Sequence, residues 1–240
     1  MSRVTQYLVV LLLGIATALT VGKGTYLHYV RPVLLPWLIC AAVVLVVLAV
    51  VSLVSGLGGH EQDGDCAGAH DHGHSHQSGL AWLLLAPIAL MAFVVPPALG
   101  ANSAATSAPM SAPPKRAFPP LPAGPAPALS VPEVVMRAAA DSAHTLDGRT
   151  IRVSGFTLHS AGSVYLGKVV IICCAADAQL AKIALTGPAL STVSSLPQDT
   201  WVALQGQVVP GSATIQDNFV PTMTVTAVRQ IPKPANTYAY

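Results

Sequence analysis

Long charge-free runs fill the first hundred residues of this chain, and short alternating runs fill the last ninety. The first run, Tyr7–Val21, is about 15 residues, or about 17 with Thr5 and Gln6. A bilayer-spanning helix takes about 20 residues, within a range of about 17–25. A signal peptide competes for this run, with Arg3 as its one early charge. Gly22, Lys23 and Gly24 follow without a small-residue cleavage pattern, which favours a retained span. The second run, Val33–Leu57, is charge-free for about 25 residues, or about 37 Å as a helix, with Trp37 near its start as an interfacial anchor. The third, Leu80–Val95, opens near Trp82, contains Pro87 and ends at Pro96 and Pro97, each of which removes an amide donor and fixes φ. It has no polar face, so it does not read as a soluble amphipathic helix. The pattern predicts transmembrane helices at about 5–22, 33–57 and 80–98, within a membrane domain of residues 1–99.

Residues 100–129 are rich in Pro, Ala and Ser and read as an extended spacer. Ser130 then has the character of a helix N-cap, with Pro132 and Glu133 in the first turn, and a short helix is expected to Ala140. Beyond Arg149 the period changes to two. Strands are predicted at Thr150–Thr157, Val164–Cys174, Lys182–Leu185, Trp201–Val209 and Thr222–Ile231. Turn residues separate them, among them Ala161-Gly162, Gly187-Pro188 and Pro210-Gly211. The predicted fold is an α-helical membrane anchor of about three helices plus a small all-β domain at 130–240. That domain reads as an OB-fold-like five-stranded barrel with a short preceding helix.

Composition narrows the picture. Hydrophobic residues make up 52% of the 240 positions and charged residues 9%, against about 25% in soluble domains, so the lipid bilayer is an expected partner. A net charge of +2 and an aromatic content of 5% exclude a nucleic-acid surface, which needs a basic face and stacking rings. Four cysteines at irregular positions do not form a disulfide framework, and adjacent Cys173 and Cys174 bridge each other only with strain.

Candidate chemistry lies in two places. The loop at 58–79 holds five of the eight histidines: His60, His70, His72, His74 and His76, with Cys66 and several carboxylates among them. Neutral imidazole is the commonest ligand of zinc and similar ions, and a polar loop can gather several imidazoles around one ion, with Cys66 as a softer donor. The bland reading is a Gly-rich connector; so dense a set of histidines argues against it. The second place is Ile171–Ala178, where Asp177 follows three residues after Cys174. On a strand, Cys173 and Cys174 would point to opposite faces. Cys173, Cys174 and Asp177 together could hold a metal ion. Against this stands the ordinary burial of free cysteine and the use of Asp as a turn cap. A Cys/His nucleophile pair with His144 or His159 is a third alternative.

The chain resembles the YcgQ-like bacterial membrane proteins, usually encoded beside a YcgR-like predicted permease. The resemblance runs over nearly the whole chain: the early apolar runs, the His-rich loop, Gly148–Phe156, Asp199-Thr200-Trp201-Val202, Ile231-Pro232-Lys233-Pro234 and Tyr238. Its most specific piece is Ile172–Ala178, where the family's Cys and Asp map to Cys174 and Asp177, and relatives can carry His where this chain has Cys173. This chain lacks the longer charged insert of some relatives and the Lys residues that flank their His loop. The resemblance implies a membrane accessory protein working with a permease.

Orientation draws on opposing signals. Lys23, Arg31, Lys115 and Arg116 against Arg3 would place the C-terminal domain in the cytoplasm. The family pattern and the Pro/Ala/Ser spacer place it outside, and we expect an extracytoplasmic domain. The expectation from sequence is a multi-pass protein of the cell membrane without enzymatic activity. It would serve as a permease subunit that handles zinc or another transition metal. A pure interaction module and a membrane-tethered thiol enzyme are the rivals.

Overall fold

The computed structural model describes residues 3–58, 99–100 and 113–240. The chain forms two compact units, Met1–Pro97 and Ala98–Tyr240.

In the first unit, helices α1 (Arg3–Gly22) and α2 (Leu35–Gly58) pack on each other. The chain reverses between them through Gly24, at φ 71°, and two short 3-10 turns, Thr25–His28 and Pro32–Leu34. Gly14 sets the close approach: a Cβ there would lie 2.8 Å from Val46 Cγ2. Small residues at a helix crossing allow such contact between apolar helices. Thr17 and Thr20 donate their hydroxyls to the carbonyls of Leu13 and Ala16, each at 2.8 Å, so neither adds an unpaired polar group to an apolar helix.

Only Pro32–Ser52, among the described residues, is helical, long and apolar enough to cross a membrane. Its 21 residues span about 30 Å, the thickness of the hydrocarbon core. Trp37, 73% exposed near the start of α2, stands where an interfacial anchor would. The three-span anchor expected from sequence is therefore corrected. Helix α1 exists, and the apolar stretch found among its described residues, Val9–Gly22, is shorter than a span. The third run, 80–98, lies outside the described residues.

The second unit begins its regular structure with β1 (Ala128–Leu129) and α3 (Val131–Ala140). Ser130 caps α3 as anticipated, its Oγ accepting from the Glu133 amide at 3.3 Å. Strands β2 (Thr150–Ser160), β3 (Ser163–Val170) and β4 (Gln179–Thr186) follow. Helix α4 (Leu190–Ser194), β5 (Trp201–Val208) and β6 (Thr222–Gln230) complete the order. The β2–β3 hairpin turns on Ala161 and Gly162, both at positive φ, as a tight two-residue turn between right-twisted strands demands.

The strands form one six-stranded mixed sheet in the order β1-β2-β3-β4-β6-β5. Strand β2 pairs with β3 through Phe156–Ser160 and with β5 through Thr150–Phe156. The predicted five-stranded OB-like barrel is corrected to this sheet for two reasons. Strand β1 is two residues long inside the Pro-rich segment and carries no period to read. The β1–β2 and β4–β6 pairings are parallel, and alternation within a strand does not announce its partner's direction. The later part of the predicted spacer is also folded. Arg116 exchanges backbone hydrogen bonds with Ala140 and Ser142, and the Arg152 amide donates to the Pro127 carbonyl.

Two apolar clusters hold the unit together. The larger joins Val131 and Val134 of α3 to Ile151, Leu166, Ile183, Leu204 and Met223 of the sheet. A smaller one gathers Phe156, Leu158, Val169, Ile171, Trp201 and Tyr238. The smaller cluster lies beneath the segment that follows β3.

Candidate functional site

Strand β3 stops at Val170, three residues before the cysteines. The chain past β6 returns to this end of β3: Ala239 donates its amide to Val169 O at 2.9 Å and accepts from the Ile171 amide at 3.0 Å. Tyr238 is buried in the smaller cluster, and its hydroxyl accepts from the Leu99 amide at 2.7 Å. Past this fixed rung, Ile172 turns outward and is 61% exposed. Cys173 is exposed and Cys174 half-buried, and a 3-10 turn, Ala175–Asp177, carries the chain on toward β4. The cysteines thus sit on a loop, not on opposite faces of a strand.

Asp177 organises this loop. Its Oδ1 accepts from the Ile172 amide at 2.8 Å, and its Oδ2 accepts from the amides of Cys173 at 2.8 Å and Cys174 at 3.1 Å. The Asp177 amide closes the turn by donating to Cys174 O at 3.0 Å. A carboxylate folded back on three successive amides fixes both thiols on one side of the turn. The two Sγ atoms and a carboxylate oxygen lie within 4.8 Å of one another.

The electrostatics follow from that proximity. Hydrogen bonding from the Cys173 thiol, aided by the three amides and opposed by desolvation, brings the Asp177 carboxyl down to about 2. The same hydrogen bond to Asp177, with further contributions from Cys174, from desolvation and from the negative charges nearby, pushes the Cys173 thiol up to about 11. Cys173 therefore holds its proton near neutral pH and is a poor nucleophile. A soft cation could displace that proton and find two sulfurs and a carboxylate oxygen, a donor set that suits zinc.

Of the residues singled out in the sequence, the fold brings Cys173, Cys174 and Asp177 together. His60, Cys66, His70, His72, His74 and His76 lie outside the described residues. Of the histidines named for a Cys/His pair, His159 Nε2 lies 3.1 Å from the Leu196 carbonyl, and His144 Nδ1 lies 3.8 Å from Asp147 Oδ2.

Below the loop lie features that sequence patterning did not single out. Trp201 is 4% exposed, with Phe156 edge-on to it and the Lys168 ammonium 4.5 Å from its ring centroid. Burial lowers the Lys168 pKa. Away from the loop, Arg137 is buried and bonded to Glu133, Thr145 and the Pro119 carbonyl. Its guanidinium and that of Arg116 both pack on the Phe118 ring. The only advance signal was Arg137 lying on the apolar side of a short helix.

Comparison with known families gives two matches. Residues 4–108 match the DUF1980 N-terminal domain and residues 134–240 match the DUF1980 C-terminal domain. The chain belongs to the DUF1980 family. The cysteine loop lies inside the DUF1980 C-terminal domain, and the His-rich segment inside the N-terminal one. Strand β1 falls between the two matched regions. No curated protein and no solved structure matches the chain.

Proposed function

We propose that this DUF1980 protein is a membrane-anchored accessory subunit of a permease system and binds a zinc-like transition-metal ion. One observation carries the reading: Cys173, Cys174 and Asp177 present three metal-ligating atoms within 4.8 Å on an accessible loop. Two thiolates and a carboxylate favour a borderline-soft cation over a hard one. Because the Cys173 proton must leave as metal enters, affinity rises with pH. The helix Pro32–Ser52 supports attachment to a bilayer by its length and composition. The C-terminal unit then lies on the extracytoplasmic side, tethered by the Pro/Ala/Ser segment. The family resemblance supplies the permease as partner. The histidines at 60, 70, 72, 74 and 76, with Cys66, form a second capture segment on the strength of their spacing alone.

The test uses the full chain in detergent with Cys40→Ser and Cys66→Ser, so that the only thiols are at 173 and 174. Titration with Co²⁺ should raise a thiolate-to-cobalt charge-transfer band that Zn²⁺ removes by competition. A chain that takes up no Co²⁺ through sulfur ends the metal reading. Co-purification of a permease with the native chain tests the partner, and its absence from every detergent extract would count against that half.

A further inference from the structure

We infer that the Cys173–Cys174–Asp177 centre leaves one position on its metal open to solvent, and that this position takes an imidazole from outside the C-terminal unit, as from a partner protein's histidine. The inference rests on the metal reading above and concerns what completes the coordination.

Counting donors leads to it. Zinc is four-coordinate in nearly all protein sites, closed when structural and open at one position when exchange or chemistry is required. Among the described residues, the group that can converge on one ion is Cys173, Cys174 and Asp177. Asp177 adds one oxygen at most. Its Oδ2 already accepts two amides and its Oδ1 one, so a single lone pair on Oδ1 remains for a metal. Among the loop's carbonyls, that of Cys174 accepts from the Asp177 amide and that of Ala175 from the Ala178 amide. The two histidines of the C-terminal unit are engaged elsewhere, at Leu196 and Asp147. Nor is the site roofed: Cys173 is exposed, and the neighbouring Ile172 side chain is 61% exposed. That isoleucine gives a docking partner an apolar foothold at the edge of the open position.

Charge selects the fourth donor. Two thiolates and a carboxylate bring three negative charges to a dication, so the centre already carries a net negative charge. Another thiolate would add to that charge, whereas a neutral imidazole adds a donor and no charge. A histidine from a partner is therefore the favoured completion, and it would let the ion pass between two proteins without leaving coordination.

The experiment uses the full chain carrying Cys40→Ser, Cys66→Ser and Asn in place of His60, His70, His72, His74 and His76, which removes competing ligands. It is loaded with Co²⁺ and titrated with free imidazole and, separately, with 2-mercaptoethanol. We expect imidazole to shift the visible d–d bands saturably at one equivalent per cobalt while the charge-transfer band persists. Mercaptoethanol should need a several-fold higher concentration for any shift. Bands that do not respond to imidazole overturn the open position while the metal reading stands. Loss of the charge-transfer band on adding imidazole also overturns it, because the ion has been stripped rather than completed. Stronger binding of the thiol overturns the choice of donor. Failure to bind Co²⁺ through sulfur overturns both the inference and the reading beneath it.

Discussion

At the scale of single residues, Asp177 and Asp141 are two carboxylates held by the same device and put to different ends. Asp177 accepts three loop amides at the surface and keeps a neighbouring thiol protonated. Iodoacetamide should therefore label Cys173 slowly near pH 7 and faster as pH climbs toward about 11. Asp177→Asn, which removes the negative charge and the strongest acceptor, should speed that labelling several-fold at pH 8, as read by peptide mass spectrometry; an unchanged rate would show that the carboxylate does not hold the proton. Asp141 is buried, and desolvation opposes its ionisation. Hydrogen bonds from the hydroxyl and amide of Thr145 and from the amides of Ala143 and Phe118 outweigh that opposition and bring it to about 2. Its folded-state pKa lies below the ordinary aspartate value of 3.8, so its stabilisation is present above about pH 4 and is lost as pH falls through about 2. Asp141→Asn should cost about 1–3 kcal/mol near pH 7, and the gap in melting temperature from the parent should close toward pH 2. That Cys173, Cys174 and Asp177 form one group was legible from their spacing. That Asp177 turns back on its own chain was not, because a cap and a ligand look alike in sequence.

At the scale of elements, what carried a period could be read and what lacked one could not. Ser130, Pro132 and Glu133 marked α3, and β-branched alternation marked the five longer strands within a few residues. Strand β3 stops at Val170 rather than running to Cys174, since the apolar run Ile171-Ile172 looks like strand but Ile171 pairs with Ala239 and Ile172 faces outward. The β5–β6 pairing shifts register between Gln205 and Gly206, and a Cβ on Gly206 would collide with the Thr224 carbonyl. Gly206→Val should therefore lower the midpoint of chemical unfolding by the equivalent of about 1–3 kcal/mol, with its full effect already present in Gly206→Ala. A midpoint unchanged in both variants would mean that the bulge relaxes freely.

At the scale of the whole molecule, hydropathy over-read the N-terminal half. It treats every long apolar run as a span, whereas among the described residues Pro32–Ser52 is the helix that meets the requirement. An arginine near the middle of a span costs about 2.5–3.5 kcal/mol on insertion scales. Val44→Arg should thus shift a measurable share of the chain from the carbonate-washed membrane fraction, while a charge at exposed Ile215 of the second unit should shift none. The packing of Trp201 has an optical consequence. Tryptophan occurs at positions 37, 82 and 201, so with Trp37→Phe and Trp82→Phe the second unit would carry one chromophore. That chromophore shares a cluster with Ile171, two residues before Cys173, and with Tyr238, which secures the returning chain. Its emission, blue-shifted while the cluster is dry, would redden when the strap over β3 lifts, so the protein contains its own fluorescent gauge of the ground on which the cysteine loop stands.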